Sequence, residues 1–500
     1  MAKPHLFVLA CVAGAFAACP SARADDGSFS IGAPGCTIVN PNPHPGERAT
    51  WTGGCRDGFA DGDGVLQWIE DDTPGSRYEG HLTAGRPEGR GVYEYPASST
   101  RYEGQFHNGK RHGQGTLTQA SGTRISGRFV DGVIEGDVLV TGRQGYRYAG
   151  GWHNMKPSGH GDVTYDDGSR YVGDFVDGKR EGEGTLTAAG VVTKGRWVAN
   201  EIVGDIDMSQ PSGMHYRGGW AHGRPEGDGE LRYSDGGVYT GRFAHGMREG
   251  QGSLVAPNGV HYDGGWSHDL WEGQARITYA DGGRYDGAVA HGKRNGHGVL
   301  TTPDGSVRDG DWVEDLLDGQ GRMTSRDASS YVGRWHAGKF DGQGVLTTSS
   351  GAVYTGSFVA GLVSGPCVLV AADGTRTQGR WDRGELDGDV TFTLRNGRLS
   401  HAHYTQGQLE GPWDGWSADG LHTVGVMHQG RLDGPARLEY QDGRSASGNF
   451  VKGEPDGPWT IVDRDGSSRV VEYENGQPRR GSPPQSKPES PRMGSTGLQS

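Results

Sequence analysis

The stretch that decides the fold is Tyr102 to Gly122, "YEGQFHNGKRHGQGTLTQASG". It places aromatics at its first and fifth residues and a glycine at its third, eighth, twelfth and fourteenth. The same frame starts again at Ile125, Tyr148 and Tyr171, and onward at 23-residue spacing to a degenerate last unit at Arg469. Three steps differ: 27 residues after Trp51, 24 after Tyr78 and 22 after Tyr171. Glycine occupies position 3 in all but two of these units and position 12 in all but the last. Such internal periodicity identifies a repeat architecture before any other reading.

Positions 1 and 5 share a face in a helix and in a strand alike, so the aromatics do not choose between them. The glycines do. Each costs a helix interior about 1 kcal/mol relative to alanine. In a strand, positions 1, 3 and 5 point to one face, and glycine at 3 leaves bare backbone between two rings. A ring of the neighbouring hairpin is expected to lie over it. Where position 8 is not glycine it holds Met155, Asn200, Asp269 or Asp315, mostly the residues that tolerate positive φ. Each unit therefore reads as a β-hairpin: strand at 1–6, turn near 7–11, strand at 12–17, then a short connection often carrying Asp-Gly. The fold class is all-β, an elongated single-layer antiparallel sheet of stacked hairpins.

The frame Tyr-x-Gly-x-Phe/Trp-x-x-Gly-x-x-x-Gly-x-Gly-x-Leu resembles the MORN repeat, over about 85% of the 500 residues. From Ser400 the units change to "LEGPWDGWSADG" and "PDGPWTIVDRDG", resembling variant MORN units of bacterial toxin–antitoxin-like proteins. The resemblance implies a continuous twisted sheet and a role in scaffolding, dimerisation or phospholipid binding. The basic pairs Lys110-Arg111, Lys179-Arg180 and Lys293-Arg294 would serve a lipid, but nearby Asp and Glu offset them.

Composition agrees with a repeat: 92 glycines in 500 residues, 32% apolar and 9% aromatic, against a usual glycine share of about 7%. A net charge of −13 argues against nucleic acid as partner. Lys3, an apolar run from Leu6 to Ala18 and Ala22-Arg23-Ala24 read as a signal peptide over 1–24, with lipoprotein processing at Cys19 as the alternative. No later run in the sequence approaches a transmembrane span. In an exported chain Cys36 and Cys55 are expected to form a disulfide across about 20 residues, worth on the order of 3 kcal/mol; the alternative is two buried thiols. That bridge would tie a cap over 25–50, with Cys55 taking the place of the position-5 aromatic. Cys367 reads as a small buried hydrophobe. The repeats occupy 51–399, variant units 400–480 and a disordered Pro/Ser-rich tail 481–500.

No catalytic constellation recurs and no cofactor or metal is expected. The Asp-Gly pairs read as turn residues rather than calcium ligands. His222, His245, His268 and His291 share position 7, about 10 Å apart, too far to share a zinc. His401 and His403 lie on one strand face and would need a third ligand. The candidate binding surface is an aromatic face made of Trp152, Trp197, Trp220, Trp266, Trp312, Trp335 and Trp381 with Tyr216, Tyr239 and Tyr262, unless those rings only pack. The function expected is an exported, non-enzymatic scaffold that binds a protein or itself in the cell envelope. A lipid- or glycan-binding module using the aromatic face is the alternative.

Overall fold

The computed structural model describes residues 28–30, 36–40 and 46–479. The signal peptide expected over 1–24, Cys19 and the tail expected over 481–500 lie outside them, as do parts of the cap expected over 25–50. The chain divides into two compact units, 1–225 and 226–500. In both, the described residues form strands joined by tight turns, with only two short 3₁₀ turns.

The hairpin beginning at Tyr239 shows the construction. Strands Val238–Ala244 and Met247–Val255 pair antiparallel, Tyr239 opposite Leu254 and Gly241 opposite Gly252. The turn is shorter than the 7–11 expected. It consists of positions 7 and 8 alone, His245 at φ 55° and Gly246 at φ 83°. Two successive left-handed residues make the type I′ turn whose twist matches that of the strands. Position 8 is left-handed in the exceptions too, at 80° in Asn200, 68° in Asp269, 71° in Asp315 and 64° in Met155. Replacing Gly246 by Asn should cost little and by Val markedly more, since a β-branched side chain resists positive φ. Thermal melts of the two variants check this, and equal losses would refute the assignment.

The second strand already starts at position 9. It shifts register against the first between Gly241 and Phe243, opposite Gly250, which has φ 71°. This bulge at position 12 bends the hairpin. In the connection, Gly259 N–H donates to the Ala256 carbonyl and Ala256 N–H to Val260, with Gly259 at φ 85°. Aspartate at position 20 locks such loops: Asp167 accepts the Ser169 N–H, and Asp281 accepts the Gly283 N–H. That is the turn role expected of the Asp-Gly pairs.

The core lies on the face of positions 1, 3 and 5. In a straight strand, residues four apart stand about 13 Å apart. The rings of Tyr239 and Phe243 nevertheless meet edge to face, with centroids 5.1 Å apart. The tyrosine lies down along its own strand and its hydroxyl donates to the Arg242 carbonyl at 2.9 Å. A Cβ on Gly241 or Gly252 would come within 2.6 or 2.5 Å of that hydroxyl oxygen. This corrects the expectation that a neighbouring hairpin's ring covers the glycines. Where position 14 is also glycine, as here, the tyrosine covers the glycines at positions 3 and 14 of its own hairpin. Tyr102, Tyr171, Tyr285 and Tyr331 repeat the contact with their own glycine pairs.

In several hairpins the occupants of positions 14 and 1 change together. Where position 14 carries a larger side chain, as in Val138, Ile206 and Val390, position 1 is Ile125, Thr193 or Thr377 and that side chain meets the position-3 glycine instead. Cys367 at position 14 is an intermediate case: it is buried and unpaired, and Tyr354 above it remains half-buried while most position-1 tyrosines are sealed. In the last hairpins the roles reverse. Ala446 stands at position 1, and Trp459 from the partner strand lies over Gly448 and donates its indole N–H to the Asn449 carbonyl at 3.0 Å. That carbonyl is the position-4 acceptor a tyrosine would use.

At the N-terminal end, 28–30 pairs with Thr37–Val39. Thr37 N–H donates to the Gly58 carbonyl and Val39 N–H to Gly85. Cys36 and Cys55 are bridged, with Cα atoms 5.6 Å apart, within the usual span. Cys55 itself is exposed, so it does not stand in for a core aromatic; Ile38, at 1% exposure, is the buried side chain of this segment. A Cys36→Ser, Cys55→Ser variant should lose about 3 kcal/mol locally. Faster hydrogen exchange over 36–60 would show it, and unchanged exchange would contradict it.

Candidate functional site

The aromatic row expected to bind a ligand sits inside the fold. Trp152, Trp197, Trp266, Trp312, Trp335 and Trp381 are buried, as are Tyr216, Tyr239 and Tyr262; Trp220 is half-buried. What holds them is visible around Trp266. Its indole N–H donates to the Gly252 carbonyl at 3.1 Å and its ring meets Tyr239 edge to face at 5.2 Å. The Arg248 guanidinium covers the other side, 4.2 Å from the ring centroid. Arg248 is fixed in turn by Asp269, the position-8 residue of the next hairpin, through Nε at 3.0 Å and the backbone N–H at 2.9 Å.

The same clamp recurs at Arg294 over Trp312, held by Asp315. Arg180 over Trp197 is held by Asn200. Two features read separately in the sequence are thus one device. The arginines of the basic pairs Lys179-Arg180 and Lys293-Arg294 stack on tryptophan instead of presenting charge to a lipid. Asn and Asp at position 8 accept from that arginine's hairpin as well as tolerating the left-handed turn. Stacking of this kind is worth about 0.5–1 kcal/mol at exposed sites and about 2 kcal/mol when desolvated. Burial lowers the Arg180 pKa from its ordinary value.

A second link along the turn edge has no counterpart in the sequence reading. The carboxylate at position 11 accepts the backbone N–H of position 7 in the following hairpin: Glu88 from Asn108, Glu249 from His268, Glu272 from His291 and Glu410 from Gln429. The Gln429 N–H holds the Glu410 carboxyl below its usual range. The position-7 histidines His222, His245, His268 and His291 therefore sit in turns, and the last three are bonded through their backbone N–H to such a carboxylate. His403 faces Asp389 at 2.7 Å, and His401 faces the Thr391 hydroxyl at 3.2 Å. Among the described residues no group of three or more His, Cys, Asp or Glu is placed to hold a metal ion.

Burial pushes the phenols of Tyr102, Tyr171, Tyr239, Tyr285 and Tyr331 up to about 12, from about 10 in an unfolded chain. Their folded pKa lies above the unfolded one, so their contribution is complete below pH 10 and is lost as pH rises toward 12. Phenolate absorbance should therefore appear together with loss of far-ultraviolet strand signal. Ionisation of all the tyrosines near pH 10 with strands intact would contradict the seated rings.

The outward face carries what remains available. Val332 and Val345 stand directly opposite each other across two strands, 52% and 39% exposed. Val313 and Leu316 pair beside one turn, and Val359 and Leu362 beside another, each close to half exposed. These residues follow from strand alternation at positions 2, 6, 9 and 15, and the sequence reading passed over them for the rings.

The fold and its faces define a hairpin-repeat protein in which aromatic and glycine residues build the interior and aliphatic residues mark the outside. The chain belongs to the MORN repeat family, whose repeat model matches eleven segments from residues 78–100 and 102–124 through 331–353 and 354–376. MORN repeats are in general modules of protein or membrane interaction. Among solved structures, the chain is similar to the TCP10 domain of CPAP from Danio rerio, at 14% identity over 49% of this chain and 99% of that one, with a TM-score of 0.18. It is also similar to virginiamycin B lyase from Staphylococcus aureus, at 10% identity over 64% and 86%, with a TM-score of 0.11. At such scores these likenesses carry no functional argument. No helix among the described residues is long and apolar enough to cross a membrane.

Proposed function

We propose that this protein is an exported, non-catalytic scaffold whose outward sheet face binds a protein partner or a second copy of itself. The observation that carries the reading is the Val332–Val345 pair, with paired aliphatics flanking the turns on either side in sequence. Single exposed apolar residues are ordinary, but cross-strand apolar pairs on a face that otherwise alternates to polar mark an interaction surface. On the inner face, rings such as Trp266 are already covered by tyrosine, arginine and backbone. Export is supported by the character of residues 1–24 and by the Cys36–Cys55 bridge, which suits an oxidising compartment.

Affinity capture from an envelope extract, with sedimentation of the purified protein, tests the reading. Val332→Glu with Val345→Glu should leave the strand spectrum unchanged and abolish capture or self-association. Retention of both by the double variant would sink the proposed face.

A further inference from the structure

A shallow groove of about 700 Å³ crosses the outward face of the last hairpins. Val424, Val426, Pro435 and Pro458 stand along its walls, and the backbone of Gly425 and Gly448 forms part of its floor. The two prolines occupy position 13 of successive hairpins, so the proline wall of the groove recurs at the hairpin spacing, while Val424 and Val426 give way to Ser447 and Asn449 in the next hairpin. Neighbouring strands are about 4.8 Å apart, giving about 9.6 Å per hairpin. A polyproline II chain advances about 9.3 Å per three residues. Apolar side chains spaced three apart on such a chain therefore meet successive hairpins in register.

The geometry points to one occupant: the chain's own residues 480–492, held in the groove as a polyproline II segment. Three observations select it. First, the last strand, Gln477–Pro478, lies at the edge of the sheet, and Arg479 N–H donates to the Glu472 carbonyl at 2.9 Å. Glu472 stands directly opposite Pro458, at the groove's end. Second, Arg479 is position 11 of its unit, so the chain leaves the sheet level with the row at positions 12 and 13. Third, 480–492 reads "RGSPPQSKPESPR", with Pro488 and Pro491 three apart and basic residues Arg480, Lys487 and Arg492 against one Glu489. The exposed Glu472 carboxylate forms no ion pair among the described residues and offers a partner to one of these cations. Nine residues from Arg479 to Pro488 reach about 28 Å in this conformation, against about 14 Å of groove across three strand spacings.

The test uses the full chain with the photoreactive residue p-benzoylphenylalanine in place of Ser486. Irradiation followed by peptide mapping should give cross-links within one chain to Gly434–Glu439 and Glu454–Val462. Val424→Glu with Val426→Glu, both surface positions at 40% and 39% exposure, should reduce them at least five-fold with the strand spectrum unchanged. Pro488→Gly with Pro491→Gly should do the same without touching the sheet. Cross-links between copies, cross-links confined to other strands, or equal yields in both variants would overturn the assignment.

Discussion

Trp459→Gly should destabilise the last hairpins by about 3–5 kcal/mol, the usual cost of deleting a buried large ring. The indole is fully buried, meets Phe450 edge to face at 5.0 Å and donates to the Asn449 carbonyl. Its removal empties the slot above Gly448. Ala446→Tyr alone should also destabilise, by about 1–3 kcal/mol, because two rings then compete for one space. Together the substitutions should recover most of the loss, since the pair recreates the tyrosine-over-two-glycines arrangement of the earlier hairpins. Repeat arrays need not unfold as one cooperative unit, so the check is hydrogen exchange over Ser445–Val462. Additive losses in the double variant would contradict a shared slot.

Gly344→Val should be the most damaging of the glycine substitutions in this class. Its Cβ would fall 2.5 Å from Tyr331 Cζ, and this tyrosine has no free direction. Phe340 stacks on it at 3.8 Å, with Trp335 and Phe358 edge to face at 5.3 and 5.2 Å. Overpacking usually costs about 1–3 kcal/mol, and a ring trapped on three sides places this case at or above the upper end. The variant should expose Tyr331, seen in the tyrosine absorbance spectrum, and accelerate exchange over Ser330–Thr347. Tyr331→Ala in the same chain should relieve the clash while opening a cavity. An unshifted spectrum for Gly344→Val would show that the ring does not rest on that glycine.

The sequence made the period, the hairpins and the left-handed position 8 legible, because each leaves a residue-type signature. Position 7 left none. His245, Asp177, Ala199, Glu314 and Arg383 all sit there at φ near 50°, and the bond that supports several of these turns comes from a carboxylate in the preceding hairpin. The ownership of each ring was likewise hidden. A tyrosine over its own glycines and one over its neighbour's produce the same 23-residue pattern. The arginine clamp was missed for the opposite reason: Lys179-Arg180 looks like a solvated basic pair until Trp197 is placed 4.2 Å beneath the guanidinium. The candidate site shifted for the same cause. Aromatic rows at fixed spacing suggest a binding face, yet in hairpins bulged as the one at Tyr239 is they are what the interior is made from.

Whether one slot is filled from either strand is decided most directly by a crystal structure of the Ala446→Tyr, Trp459→Gly double variant. The expected result places the introduced tyrosine over Gly448 and the new glycine at 459, with its hydroxyl on the Asn449 carbonyl, the strands Ser445–Val451 and Glu454–Val462 still paired as they are with tryptophan in place. A tyrosine turned outward to solvent, with the slot collapsed or water-filled beneath it, would contradict the account.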